Sequence, residues 1–288
     1  MLVLAQTIRT KAEEEMKKTI SGLSILETTL FVVSEDSSEV EVYDLKTLSF
    51  SRRWNLMKLL DPVDISSCDI NKCLYISDSK GSDDQMSQIL RVDANGNLIQ
   101  NWSTGDDYGC LSVTDELNVI LTVHYKSKLN EYSPNGQLIR EINLSSDASL
   151  CNPWHAIKLI SGHFIISHGY FDDDPHRVCT VDTDGKLIKS FGQKPGSTIS
   201  KMNIPFYLSV DENGFVMVAD RVNSRVLLLN SDLEFKKEIL SRNVNFEVQN
   251  PRRILLDKDS GLLLVADCKW DYLKNIFSDG RILIYDFK

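Results

Sequence analysis

The chain has 288 residues, is 42% hydrophobic and 25% charged, and carries a net charge of −9 with a pI near 5.1. That length can bury a full core as one large all-β domain or two smaller domains, and the acidity argues against a generic phosphate-binding surface while leaving room for a local basic patch. No apolar run approaches the ~18 residues of a membrane span, and "MLVLAQTIRTK" has no basic n-region and too short an apolar segment for a secretory signal.

The six cysteines include no CxxC pair, which excludes a zinc ribbon or a RING cross-brace within this chain. They read as free thiols of a reducing, cytoplasmic compartment; Cys68 and Cys73 lie close enough in sequence for a hairpin disulfide, but the expectation is that they stay free.

From the N-terminus, residues 1–15 read as an extension in which "KAEEEMKK" suits a short helix, and residues 16–288 as the folded domain. Six units follow. In each, an apolar strand ends in a polar residue, at Glu35, Asp78, His124, His168, Asp220 and Asp267, spaced 43 to 52 residues apart. A second strand then starts at a polar leader, Glu39, Gln88, Lys128, Arg177, Arg225 or Arg281. Five residues on comes a polar stop, at Asp44, Asp93, Ser133, Asp182, Asn230 or Asp286. Each unit opens with a strand such as "YLSVD" or "RILLD". Turns built from "ANGN", "PNGQ" and "TDGK" supply the positive φ of hairpins, and polar strands such as "LIREINL" and "FKKEIL" close the units.

Four short strands per repeat at this period, without helical periodicity, predict an all-β, six-bladed β-propeller of four-stranded antiparallel blades. The sixth unit stops at its third strand, and "MKKTI" (Met16–Ile20) is similar to "FKKEIL". The expectation is that this N-terminal strand closes the last blade and removes an open sheet edge.

"IPFYLSVDENGFVMVADRVNSRVLLL" closely resembles an NHL repeat, with weaker copies at "NPRRILLDKDSGLLLVADCKW" and "NPWHAIKLISGHFIISHG". The resemblance covers residues 17–288 and is specific in the last three units. It implies a propeller similar to the C-terminal domain of NHL-type tripartite-motif proteins, where it serves as a recognition module for protein or RNA.

Asp220 and Asp267 read as scaffold, acceptors for backbone N–H groups in the turn to the third strand, with His124 and His168 in the same column. Arg177, Arg225 and Arg281 read as braces between adjacent blades.

The connections between second and third strands vary in length, being long at 79–87, 169–176 and 268–280, which marks that face as the one free to evolve contacts. The opposite face, with short uniform turns, reads as structural. The candidate binding residues on the variable face are Asp64, Trp154, His155, Phe206, Tyr207, Arg252 and Arg253 from inner-strand starts, and Tyr170, Phe171, Trp270 and Tyr272 from loops, with Tyr108 nearby. Trp154 and Phe206 fit binding and channel packing equally.

A protein partner is the first expectation. Asp83, Asp84 and Asp172–Asp174 would favour basic residues on it. Single-stranded RNA on a sector of Arg252, Arg253, Lys269 and Lys274 is the alternative. A metal-dependent hydrolase or lyase comes third. The peptidyl-hydroxyglycine lyase, similar in repeat style, needs histidines at strand starts, and here Val63, Trp154, Phe206 and Arg252 follow the prolines. A calcium site of Asp64 with Asp172–Asp174 is a minor variant. The expected protein is therefore non-catalytic, monomeric, and free of cofactor, metal and membrane.

Overall fold

The computed structural model describes residues 4–9, 19–79, 86–144, 150–242, 248–271 and 276–287, with backbone alone at 270–271 and 276–279. Six antiparallel sheets of four strands each form the propeller. Blade I is built from Ile20–Leu26, Thr29–Ser34, Glu39–Asp44 and Ser49–Asn55, and blade V from Pro205–Val210, Val216–Asp220, Arg225–Leu229 and Phe235–Ser241; the inner strands of blades II, III, IV and VI are Asp61–Cys68, Gly109–Val113, Pro153–Lys158 and Pro251–Asp257. In each of blades I to V the four strands follow one another in chain order from inner to outer. Among the described residues no helix is long and apolar enough to cross a membrane.

The ring is closed by a strand from the start of the chain, but not by the expected one. Leu4–Arg9 pairs antiparallel with the third strand of blade VI, Ile276–Asp286, with Ile8 opposite Ile282. Ile20 instead opens the inner strand of blade I opposite Ser34, while Met16–Lys18, like most of the expected helix, lie outside the described residues. The reason is packing. Ile8 is buried with Ile20, Leu264, Ile282 and Ile284, so "LAQTIR" offers the apolar anchor a closing strand needs.

The second strand of every blade is apolar because it is covered on both faces by neighbouring blades; Val119–Val123 and Val216–Asp220 are buried throughout. Outer strands such as Leu138–Asn143 are largely exposed. The turn glycines have a second duty besides their positive φ. A Cβ on Gly96 (φ 89°) would lie 2.6 Å from the Trp54 ring of blade I, and one on Gly136 (φ 78°) 2.5 Å from Trp102 of blade II. Each tryptophan thus packs on the bare turn of the next blade. Neighbouring blades are also tied directly: the Ser21 and Ser112 hydroxyls of inner strands and the Ser77 hydroxyl of a second strand donate to the inner-strand carbonyls of Pro62, Ala156 and Gly109. All six cysteines are free thiols, including Cys68 and Cys73, which face one another across a hairpin.

Candidate functional site

The backbone register explains which side chains reach the mouth of the channel. In five inner strands the pairing slips by one residue near the start of the strand: between Ile20 and Gly22, Pro62 and Asp64, Pro153 and His155, Pro205 and Tyr207, and Pro251 and Arg253. The skipped residues are Ser21, Val63, Trp154, Phe206 and Arg252. A β-bulge leaves its extra residue out of the ladder and re-aims its side chain. All five line a cleft of about 540 Å³ at the channel mouth, a size suited to a small ligand or the end of a peptide. Blade III has no bulge: Gly109 pairs directly with Val123, and Tyr108 and Gly109 line the cleft there.

The next residue of each inner strand forms a deeper, buried layer. Asp64, Cys110, His155, Tyr207 and Arg253 come from five different blades and interlock. Arg253 donates through Nε to Asp64 Oδ1 at 3.1 Å and through Nη2 to the Val63 carbonyl at 2.8 Å. Asp64 Oδ2 also accepts from the Leu111 N–H at 2.9 Å and the Tyr207 hydroxyl at 3.4 Å. Burial lifts the Asp64 carboxyl above its ordinary value and Arg253 opposes this. With donors on both oxygens, it is the anion of a buried ion pair.

His155 stacks on Tyr207 with ring centroids 3.8 Å apart. Its Nε2 donates to the Leu111 carbonyl and its Nδ1 accepts from the Leu208 N–H. Burial, reinforced by Arg253, pushes its pKa down to about 3, so it is a neutral strut. Cys110 is buried beside Arg253, and burial pushes its thiol up to about 12. This layer stops the channel beneath the cleft.

The wall of the cleft is aromatic. His124 stacks on Trp154 at 4.0 Å, Trp154 packs on Phe206 at 4.4 Å, and Tyr170 stands edge-on to Trp154 at 5.6 Å. Trp154 Nε1 donates to the Gly169 carbonyl, and His124 Nδ1 donates to the Pro153 carbonyl. Burial pulls the His124 imidazole below its ordinary value. Phe171, 61% exposed, extends the wall outward against Tyr170.

Three guanidiniums surround Phe206, those of Arg221, Arg253 and Arg252 at 5.0, 5.3 and 5.4 Å from its ring centre. Burial, then the charge of Arg252, brings Arg221 down to about 10. Arg252 is held at 2.6 Å by Glu35, whose side chain is 42% exposed against 11% for Arg252.

The column of polar strand-ends divides in two. Asp78, Asp220 and Asp267 are buried and do accept backbone N–H groups, but those leading into the inner strand rather than those of the turn ahead. Asp78 takes Leu60 and Asp61, Asp220 takes Asn203, and Asp267 takes Gln249 and Asn250. Arg225 and Arg281 pair with the aspartate of their own blade, and Arg225 also donates to the carbonyls of Ser197, Thr198 and Lys201 in the connection between blades.

Glu35 and His124 are one position later than this column: the residues paired with the inner-strand starts are Ser34 and Val123. They align with Ser79 and Arg221, and Glu35, Ser79 and His124 face the cleft. The same correction makes the second-to-third connections of blades I, III and V equal in length. The hint available in the sequence was that Ser34 is itself a short polar acceptor.

Of the candidate residues, Trp154, Tyr170, Phe206, Arg252 and Arg253 meet around the cleft, with Tyr108. Asp64, His155 and Tyr207 lie beneath it, and Phe171 at its rim. Tyr272, the Trp270 side chain, Lys274, Asp83 and Asp84 lie outside the described residues. Asp64 and Asp174 do not form a common oxygen site. Asp174 holds its own loop, accepting from the Tyr170 and Phe171 N–H groups and from Asn152. Among the described residues no group of three or more His, Cys, Asp or Glu side chains is placed to hold a metal ion.

The fold and the cleft define a six-bladed β-propeller with a closed channel and one aromatic, Arg-bearing mouth. No protein-family model and no curated protein matches this chain by sequence. Solved propellers match its fold. A streptogramin B lyase is 10% identical with a TM-score of 0.64, over 100% of this chain and 88% of that one. Hydrazine synthase from Kuenenia stuttgartiensis is 11% identical with a TM-score of 0.63, over 99% of both chains. A catalytically inactive histidine-to-alanine variant of virginiamycin B lyase from Staphylococcus aureus, with quinupristin, is 10% identical with a TM-score of 0.62, over 97% and 88%. At such identities the likeness is one of fold.

Proposed function

We propose that this propeller is a non-catalytic recognition module that binds a protein partner through the face carrying the cleft. The observation that carries this reading is the bulge in five inner strands, which takes Trp154, Phe206 and Arg252 out of the ladder and groups them at one mouth. Around it, Tyr108, Tyr125, Tyr170 and Phe171 are exposed on the same face, the kind of aromatic and Arg cluster that interfaces use as anchors. The NHL-like repeat at residues 204–229 supports the same reading by resemblance.

A proton-transfer role finds little support, because His155 has both ring nitrogens engaged and Asp64 is locked to Arg253. Single-stranded RNA is the second reading, favoured by the guanidiniums stacked about Phe206. It is weakened by Glu35 and Asp64, which occupy two of them, and by exposed Asp172 and Asp173.

The test is capture of partners from a lysate of the source cells by the wild-type protein and by a Tyr170→Asp, Phe171→Asp variant. A protein set lost with the variant and unchanged by nuclease fits this reading. Retention by the variant, or loss on nuclease treatment, contradicts it.

A further inference from the structure

The charges of the cleft are sorted by depth. Arg253 and Arg252 lie low, 3% and 11% exposed at the side chain, while the side chain of Glu35 is 42% exposed and Asp36 and Asp61 share the mouth. Asp172 and Asp173 are exposed on the neighbouring loop. Beneath, the Asp64–Arg253 pair and the stacked His155 and Tyr207 close the channel, so an occupant enters and leaves by one opening. A blind cleft admits the end of a chain more readily than its middle. A cation below an apolar wall and below an acidic mouth is complementary to an end that is anionic at its tip, apolar behind it and basic further back.

We infer that the cleft receives the free C-terminus of a partner protein. Its terminal carboxylate takes the place of Glu35 on Arg252, and an apolar or aromatic last side chain lies against Trp154 and Phe206. Lysine or arginine a few residues upstream meets Asp36, Asp61 and the Asp172–Asp173 loop. Glu35 is then a resident competitor. It satisfies the partly buried Arg252 guanidinium when no ligand is bound and, being exposed, can swing into water when one arrives. Arg221, buried against Phe206 behind the cleft lining, adds a further positive charge near Arg252. This inference rests on the recognition reading above and specifies what enters.

The probe is a hexapeptide pool with lysine at the first and third positions, phenylalanine last and the rest randomised. It is made once with a free C-terminal carboxylate and once as the amide, and read by fluorescence anisotropy against the full chain. The free acid is expected to bind at least about tenfold more tightly than the amide, the size of one charge-assisted pair. Glu35→Gln, at a solvent-exposed side chain that does not endanger folding, is expected to tighten the acid several-fold and leave the amide unchanged. Arg252→Gln is expected to erase the difference between the two pools.

Equal binding of acid and amide, or weaker acid binding by Glu35→Gln, overturns the inference. If partner capture still depends on Tyr170 and Phe171 while the pools do not differ, the recognition reading stands and this inference alone falls. If both fail, both fall.

Discussion

The two ends of the channel are built from the same six inner strands and hold clefts of nearly equal volume, about 540 Å³ at the mouth described above and about 600 Å³ at the opposite end. Volume does not tell them apart; chemistry does. The opposite cleft is lined by the inner-strand ends and hairpin turns of blades I, II and VI, with Glu27, Asp69, Asp257 and Asp259 against Lys72 and Lys258 and no aromatic side chain. The turns of that face repeat one solution. Asp93, Asp182, Asp211 and Asn230 each accept from the N–H groups two and four residues on. On the mouth side no two blades are alike: the bulges carry Ser, Val, Trp, Phe and Arg. A repeat that must only turn converges on one residue, whereas a surface that contacts something else diversifies on a fixed backbone.

That contrast can be broken by mutation. The largest effects belong to the buried ion pairs under the mouth. Asp64→Ala leaves Arg253 without its buried counter-charge, and Asp220→Ala does the same to Arg225 and takes the acceptor from the Asn203 N–H. Each is expected to cost about 3–5 kcal/mol in chemical denaturation. A loss below about 1 kcal/mol for both would mean the pairs are not the scaffold described.

Acid is the next lever. His155 and His168 are both held neutral by burial, each with a folded pKa pushed down to about 3. Between roughly pH 6.5 and 3 the unfolded chain binds these protons and the folded chain does not, so stability falls as the pH falls through that window. Each histidine contributes a slope of up to about 1.4 kcal/mol per pH unit. His168→Gln keeps an acceptor for Arg177 and should flatten the dependence of the urea midpoint between pH 6.5 and 5 relative to wild type. An unchanged slope would show that His168 titrates normally.

On the opposite face, Asp211→Ala removes two turn hydrogen bonds and is expected to cost about 1 kcal/mol in stability without changing partner capture. The smallest stability effect belongs to Arg252→Gln. Its partner Glu35 is exposed, so the change should stay within about 1 kcal/mol, yet capture by the mouth should be lost. A large stability loss with capture intact would reverse the assignment of the two faces.

Much of this was legible in the sequence because turn chemistry is local. The Asn-Gly and Asp-Gly turns and the constant leader-to-stop spacing place the third and fourth strands, and with them six blades. What escaped depends on register. "FVVSE" and "LTVH" look like "MVAD", but the paired residues are Ser34 and Val123, and a one-residue slip moves a side chain between the sheet and the mouth. The bulges were hinted at only by prolines, so Trp154 and His155 read as equivalent neighbours although one lines the cleft and the other is sealed under it. The closing strand was missed because "MKKTI" mimics an outer strand in composition, whereas pairing with Ile276–Asp286 is decided by the placement of Ile8.

The assignment of the two faces is tested most directly by amide hydrogen exchange of the protein alone and bound to its captured partner. The account predicts protection at the mouth, in residues 169–174 and around Trp154, Phe206 and Arg252, with the turns at 68–73 and 257–261 unchanged. Protection confined to those turns would contradict it.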